Sequence, residues 1–531
     1  MADLDYIVVG GGSSGCAVAS RLTEIPTNRV LLIESGGRDS DPYIHIPATF
    51  FKVLQKGKDS QVYMGEADKG LNGRPNIVPQ GHVLGGGSSV NAMIYIRGQK
   101  QDYDQWAQTG CRNWSYDKVL DAFKRVEGNH DFGDDFHGTD GPLKVSNPRY
   151  RHPLNQAFVD AAVQAGLKLT QDFNGSDQEG VGFYQTTTHK GRRWSAAQAF
   201  IRAAEKRPNF LLRTETRVAK ILFEGKKAIG VLLENGETIK TNKEIILAAG
   251  ALATPKLLQL SGIGNGKELK QHGIDVVADL PGVGENYQDH LEATVQLEVK
   301  DPISLLGQDK GLNGARHMLQ YLLTRTGLLS SNVVASGGFV DTAGTGAPDI
   351  QFHVLPTFIG FAERPDEPGH GISIGPCFLR PQSRGTVKLR SANPKDPALF
   401  NANSLSAPAD LETLVRGVEL AIKIAEQPAL KNITRRRALP KPGVENDPAA
   451  LRDYVRNIAK TVFHPSGTAK MGRTDDRMAV VDEALKVRGV EGLRIADASI
   501  MPTIISGNTN APSIMIGERA ANFILGREVL A

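Results

Sequence analysis

An α/β chain (α+β overall), holding one parallel and one antiparallel sheet, is predicted by three stretches of this sequence. The first begins at Asp5. It joins an apolar, β-branched run (Tyr6–Val9) through a glycine-rich turn to an apolar-periodic segment at 16–22 and a second apolar run, Val30–Ile33. Such short runs suit strands buried on both faces of a parallel sheet. The second observation is that similar runs return far along the chain, in Glu244-Ile-Ile-Leu-Ala-Ala-Gly250 and in Gly492-Leu-Arg-Ile-Ala-Asp497. The third is the section 291–390, which mixes short strands with loops, among them Asp349-Ile-Gln-Phe-His-Val354 and Gly385-Thr-Val-Lys-Leu-Arg390. That section reads as an antiparallel, substrate-shaping unit.

The first stretch carries chemistry as well as fold. Gly10, Gly12 and Gly15 supply a G-x-G-x-x-G turn between strand and helix, and Glu34 closes the second strand nineteen positions after Gly15. Glycines let the backbone approach a pyrophosphate, whose charge is met by free N–H groups at a helix N-terminus, and a carboxylate at this distance accepts from a ribose. In a chain of 57 glycines the pattern alone would say little. Set in a strand–turn–helix–strand unit ending in an acid, it reads as a Rossmann-type dinucleotide site.

At 531 residues the chain exceeds one ordinary core, so two or three domains are expected. Its 62 basic and 58 acidic residues nearly balance, which gives no case for nucleic acid or a polybasic membrane anchor. Cys16, Cys111 and Cys377 form no C-x-x-C pair, against both a disulfide framework and a zinc site; no metal is expected. The first strand starts at residue 6, which leaves no room for a signal peptide, and no apolar stretch is long enough to span a bilayer. The expected setting is cytoplasmic, with peripheral membrane association as a further option.

Taken in order, residues 35–76 are rich in Gly, Asp and Pro and read as a partly packed excursion. Residues 81–91, with three consecutive glycines and two serines, suit neither helix nor strand and read as a ligand-approaching loop or, equally, as a plain flexible one. Helical patterns cover 102–127, 153–166, 251–260, 407–427 and 512–525, and Ser195 is a plausible N-cap for a helix reaching 208. Strands dominate 210–248, with Asn235-Gly236 as a hairpin turn.

With these residues in view, the chain resembles the glucose–methanol–choline (GMC) oxidoreductases, flavoenzymes that oxidise alcohols, over nearly its whole length. The first family signature is similar to residues 81–104, with Gly85-Gly86-Gly87-Ser88, Asn91, Tyr95 and Gly98 in place and His82 where Arg or Lys is usual. The second is similar to Gly250-Ala251, Thr254-Pro255, Leu257-Leu258 and Ser261-Gly262-Ile263-Gly264. The resemblance implies that the dinucleotide is FAD. Its contacts would include Gly10, Gly12, Ser13, Ser14, Gly15, Glu34, Ser35, Gly85, Gly86, Ser88, Asn91, Ala92, Met93, Val218, Ala249, Asp497, Ala498, Asn508 and Thr509. For Asp497 a simple turn cap is the other reading. The family's catalytic histidine falls on His464, in Phe463-His-Pro-Ser-Gly-Thr468, and its partner on Asn508, 44 residues on, with Asn510 as the competing choice. An imidazole can take the alcohol proton near neutral pH, and an uncharged amide can donate to the developing oxyanion. Gln351 and His353 are candidate substrate contacts. Where family members attach FAD through a histidine, this chain has Val90, so a non-covalent flavin is expected.

The expected division is an FAD-binding domain from 1–150, 192–295 and 455–531, and a substrate domain from 151–191 and 296–454. Local matches such as His137-Gly-Thr-Asp-Gly-Pro142 and Ser331-Asn-Val-Val334 are most similar to the sorbose dehydrogenase and bacterial alcohol dehydrogenase branch. That branch implies oxidation of a sugar, polyol or primary alcohol, with electrons passed to a quinone or artificial dye. An oxidase forming peroxide is the same-class alternative. A flavin-dependent lyase or isomerase, or a non-catalytic flavoprotein, is the alternative from another class. The alcohol, the acceptor and the oligomeric state stay open at this level.

Overall fold

A computed structural model describes residues 4–358 and 369–527. Strand β1 (Tyr6–Val9) and strand β2 (Val30–Ile33) pair in parallel, Tyr6 opposite Val30, and helix α1 (Ser13–Leu22) connects them. The full sheet is five-stranded and parallel throughout, in the order Phe210–Arg213, β2, β1, Glu244–Leu247, Leu493–Ile495. β1 and β2 are buried along their whole length, as their unbroken apolar runs require. Strand order reverses between β1 and Glu244–Leu247. The crevice beyond their carboxyl ends is therefore the place where such sheets receive ligands.

The second sheet has eight strands. Its main path runs Thr434–Leu439, Val295–Val299, Gly371–Phe378, Ile350–Leu355, Ser336–Val340, Gly180–Phe183, with antiparallel neighbours throughout. Two short strands, Leu291–Glu292 and Lys460–Thr461, also belong to it, although both fall in segments expected in the FAD-binding unit. Alternation along Ile350–Leu355 divides the work between its faces. Ile350, Phe352 and Val354 share a core with Leu154, Phe158, Leu414 and Val418 of helices Pro153–Gln164 and Pro408–Ala425. His353 and Leu355 line the cavity described below.

Several segments depart from expectation. The helical pattern at 102–127 is two helices, Lys100–Gln108 and Tyr116–Val126, separated at Gly110, whose φ of +110° no continuing helix can adopt. The helix expected from Ser195 opens with a wide π-type turn, Ala197–Ile201. Residues 35–76 contain a helix (Phe50–Lys56) and a strand (Ser60–Ala67) paired with Pro75–Gly81; the strand turns Val62 and Met64 outward, so no inward apolar stripe marks it. Within the glycine loop, Gly87–Val90 forms one helical turn. Thr386–Lys388 forms a separate ribbon with Leu399–Asn401 and stands outside the large sheet. Residues 311–324, read as strands and loops, form helix Gly311–Thr324.

Gly15 sits where α1 presses on the sheet, and a Cβ there would overlap the Gly10 carbonyl oxygen and lie 3.1 Å from the Ala248 Cβ. Gly15→Ala should lower stability by about 1–3 kcal/mol, the usual cost of overpacking. Thermal denaturation with and without added FAD is the check, and an unchanged melting profile would refute this account of the turn.

Candidate active site

A cavity of about 430 Å³ starts at the glycine turn and reaches the antiparallel sheet. Of the expected contacts, Gly10, Gly12, Ser13, Ser14, Glu34, Ser35, Gly86, Asn91, Ala92, Met93, Val218, Ala249, Asp497, Ala498, Asn508 and Thr509 line it, as do His464 and His353. Gly15, Gly85, Ser88 and Gln351 do not, and each has another task. Gly15 permits the helix–strand approach. The Gly85 N–H donates to the Gly11 carbonyl at 2.7 Å. Ser88 Oγ donates to Gly85 O at 2.6 Å and accepts from Ala196 N–H at 2.9 Å. Gln351 donates to Asn508 Oδ1 at 2.9 Å.

The residues at the turn fit a dinucleotide. Helix α1 begins at the cavity with no side-chain cap and no acid in its first turn, so its free N–H groups suit a diphosphate. A Cβ on Gly12 would meet nothing nearer than 3.8 Å, whereas one on Gly86 would come within 2.7 Å of Gly12 Cα, so the two loops touch backbone to backbone. Glu34 accepts from Gly11 N–H and Gly36 N–H, both at 2.7 Å, one on each carboxylate oxygen. Burial pushes its carboxyl above the ordinary range against the pull of those N–H groups. A carboxylate accepts about four hydrogen bonds, so lone pairs remain for a ribose. Asn510, which receives Ser13 Oγ–H at 2.9 Å, holds a buried Nδ2 without a partner at the cavity wall. Asp497 accepts from Gly250 N–H (2.9 Å), Thr254 Oγ (2.7 Å) and Ser499 N–H (2.8 Å), so it caps a turn as well as lining the cavity.

At the other end His464 Nε2 lies 3.3 Å from Asn508 Nδ2, and His464 Nδ1 lies 3.0 Å from Nδ1 of His290. His290 Nε2 is 3.0 Å from the carbonyl of Leu379, which can only accept. The protons follow from this chain of contacts. Nε2 of His290 carries hydrogen, so its Nδ1 accepts from Nδ1–H of His464 and leaves Nε2 of His464 unprotonated, with a lone pair that accepts from Asn508 Nδ2–H. Burial, opposed by the Leu379 carbonyl, pushes His290 down to about 3, so it stays a neutral acceptor. Burial, then the neighbouring His290 and His353, holds His464 well below the ordinary imidazole range.

Asp289 fixes the loop. One of its oxygens accepts the backbone N–H of both His464 and His290 (2.8 Å each), and the other accepts Thr461 Oγ (2.5 Å) and Tyr287 Oη (2.9 Å). Phe463, just before His464, has φ +70°, a left-handed conformation that a bulky residue adopts only when its surroundings enforce it. Beside them Glu292 meets His353 Nδ1 and Lys460 Nζ, each at 3.3 Å. Burial alone would raise Glu292, but Lys460 and His353 prevail and hold it below the usual carboxylate range. The sequence reading missed Asp289, His290, Glu292 and Lys460. The run Gln288-Asp289-His290 stood out only as a change of character, and nothing along the chain ties it to a residue 174 positions away.

The sequence pattern of the GMC oxidoreductases matches residues 4–292 with its N-terminal part and 381–517 with its C-terminal part. An alcohol dehydrogenase [acceptor] of Pseudomonas putida is 42% identical over 99% of this chain and 96% of its own length. An oxygen-dependent choline dehydrogenase of Brucella suis biovar 1 is 43% identical over 100% of this chain and 97% of its own. Among solved structures, pyridoxine 4-oxidase from Mesorbium loti superposes with a TM-score of 0.90 at 29% identity, covering 99% of this chain and 100% of that one. An FAD-dependent oxidoreductase from Chaetomium thermophilum superposes at 0.91 and 28% identity, with all of both chains covered. Sequence, fold and cofactor cradle agree: this chain belongs to the GMC oxidoreductase family, and FAD is its cofactor.

Proposed function

We propose that the chain oxidises a primary alcohol to the aldehyde, with His464 as base and Asn508 as hydrogen-bond partner. Bound FAD, held without a covalent link because Val90 offers no nucleophile, supplies the hydride acceptor. The chain's own part is to take and hold a proton. Nε2 of His464 is the unprotonated nitrogen that receives the hydroxyl hydrogen, and the Asn508 Nδ2–H that faces it donates instead to the substrate oxygen as charge develops there. Gln351 holds the Asn508 carbonyl oxygen and so turns the amide nitrogen toward His464. The single observation that carries this reading is the run of contacts from Leu379 O through His290 to His464, which assigns the lone pair to the nitrogen beside Asn508.

The walls support the choice of alcohol. Phe51, Leu54, Met93, Val334 and Leu355 line the cavity and favour an apolar tail over a sugar or polyol. A quaternary ammonium would gain most from an uncompensated carboxylate. Glu292 already faces Lys460 and His353. For the acceptor, similarity to a dehydrogenase named for a separate acceptor favours a quinone or dye. The oxidase reading is second, favoured by the names of the oxygen-dependent relative and the pyridoxine oxidase. The two-domain division by residue range belongs to this proposal, supported by strands from distant segments meeting in each sheet, with Leu291–Glu292 and Lys460–Thr461 crossing from the FAD-binding ranges into the antiparallel sheet.

His464→Ala should slow alcohol-driven flavin reduction by about 10²–10⁴-fold with FAD retained, and Asn508→Ala by on the order of 10²–10³-fold. Anaerobic stopped-flow bleaching measures both, and near-wild-type rates would remove the pair from the chemistry. Because His464 is depressed well below 6.5, its base form persists as pH falls through the ordinary imidazole value. The limiting reduction rate should therefore stay level there and fall only at distinctly lower pH. An inflection near 6.5 would contradict the assignment. In a panel of aliphatic and aryl alcohols, polyols, sugars and choline, primary alcohols should bleach the flavin fastest. The reduced enzyme should pass electrons to a soluble quinone faster than to oxygen. Reoxidation by air as fast as turnover, with stoichiometric peroxide, would make the second reading the right one.

A further inference from the structure

Helix Gly311–Thr324 is amphipathic in the reverse of the usual sense. Its only fully buried residue is Tyr321, whose hydroxyl donates to Gly191 O at 3.0 Å. Leu312 is 89% exposed, Leu319 60%, Leu322 57% and Leu323 75%. At about 100° per residue, Leu312, Leu319 and Leu323 fall within about 40° of one another, on the side opposite Tyr321. An ordinary surface helix turns its apolar stripe inward and its charges out. Ile303 (38% exposed) and Leu306 (42%), in the preceding loop, add to the apolar surface.

The charges along this stretch have one sign, and Arg316 falls about 20° from Leu323 on the same projection while Arg325 stacks on the Tyr321 ring. From 310 to 325 the chain carries Lys310, Arg316 and Arg325 and no Asp or Glu. The nearest acid before it, Asp309, pairs with Lys52 of helix Phe50–Lys56 at 3.3 Å. Leu305, in the loop leading to the helix, packs into the same cluster as Phe51 and Leu54, both of which line the cavity.

We propose that the outward leucine face of this helix docks on an anionic phospholipid bilayer, with Leu312, Leu319 and Leu323 at the headgroup–acyl boundary and Lys310 and Arg316 against lipid phosphates. A helix of apolar face, basic flank and modest length is what lies flat in such an interface. No helix among the described residues is long and apolar enough to cross a membrane. A second copy of the chain fits the patch less well. The face of a helix about 21 Å long and about 10 Å wide offers on the order of 200 Å², far short of the roughly 800 Å² per partner of a stable interface. Pairing two such faces would also bring basic flanks together with no acid on either helix. The proposal does not depend on which alcohol or acceptor the enzyme uses.

Flotation of the FAD-loaded full chain with phosphatidylcholine vesicles, and with vesicles also containing phosphatidylglycerol, tests it. Wild type should float with the anionic vesicles and roughly tenfold less with the neutral ones. The triple change Leu312→Ser, Leu319→Ser, Leu323→Ser should abolish flotation without altering turnover of a soluble alcohol with a soluble dye. Arg316→Glu should weaken flotation, and so should added salt. Failure of wild type to float, or flotation of the triple variant at wild-type level, overturns the proposal. A wild-type dimer in light scattering that the triple variant dissolves, with no vesicle binding, assigns the face to a second copy instead.

Discussion

The hydrogen bond between the two Nδ1 atoms of His464 and His290 is the interaction on which the site depends. It works only while His290 is neutral, because a protonated His290 would face the Nδ1–H of His464 with a hydrogen of its own. Burial supplies that neutrality, and the Leu379 carbonyl sets its direction. Asp289 holds the pair from the backbone side, using one oxygen for both N–H groups. The base is thus defined by an orientation as much as by a residue type. The same ring turned over would present a hydrogen to the cavity and have no proton-accepting nitrogen there.

That geometry is assembled from both sheets. His464 follows Lys460–Thr461, a strand of the antiparallel sheet, and Asn508 precedes the helix Asn510–Ile524, which packs on α1 beside the glycine turn. Gln351 and His353 reach the site from the face of the large sheet that does not meet its helices. The parallel sheet provides the dinucleotide crevice at its switch point, and the antiparallel sheet provides the wall that faces it. Neither sheet alone contains a proton acceptor and a cofactor cradle.

Much of this was legible along the chain, for physical reasons. A strand–turn–helix–strand unit is local, so Tyr6, Gly10, Gly15 and Glu34 announce it within thirty residues. The long helices at 153 and 407 carry one-sided apolar periodicity and stop at proline or glycine signals. His464 and Asn508 were reachable only through a resemblance, since an isolated histidine carries no mark of its role. Asp289 and His290 were not reachable, because their meaning lies in contacts across 172 to 175 positions. Helix Gly311–Thr324 was hidden for the opposite reason. Its leucines face outward, so its pattern of apolar residues does not mark a single inward stripe. Gly385–Arg390 looked like a sheet strand because a two-stranded ribbon and an eight-stranded sheet demand the same alternation.

The order of strands in the parallel sheet bears on how the enzyme is made. β1 is synthesised long before Leu493–Ile495, which completes its sheet, and Ser14 Oγ donates to the carbonyl of Ala496, 482 positions on. Helix α1 packs against Asn510–Ile524, at the far end of the chain. At about 5–20 residues per second a ribosome needs on the order of 25–100 s to bring these partners out. Throughout that time β1 and α1 have apolar faces without their final cover. The cofactor crevice therefore closes only after both distant segments have been made. FAD capture waits on this long-range closure and competes with aggregation of a half-built sheet.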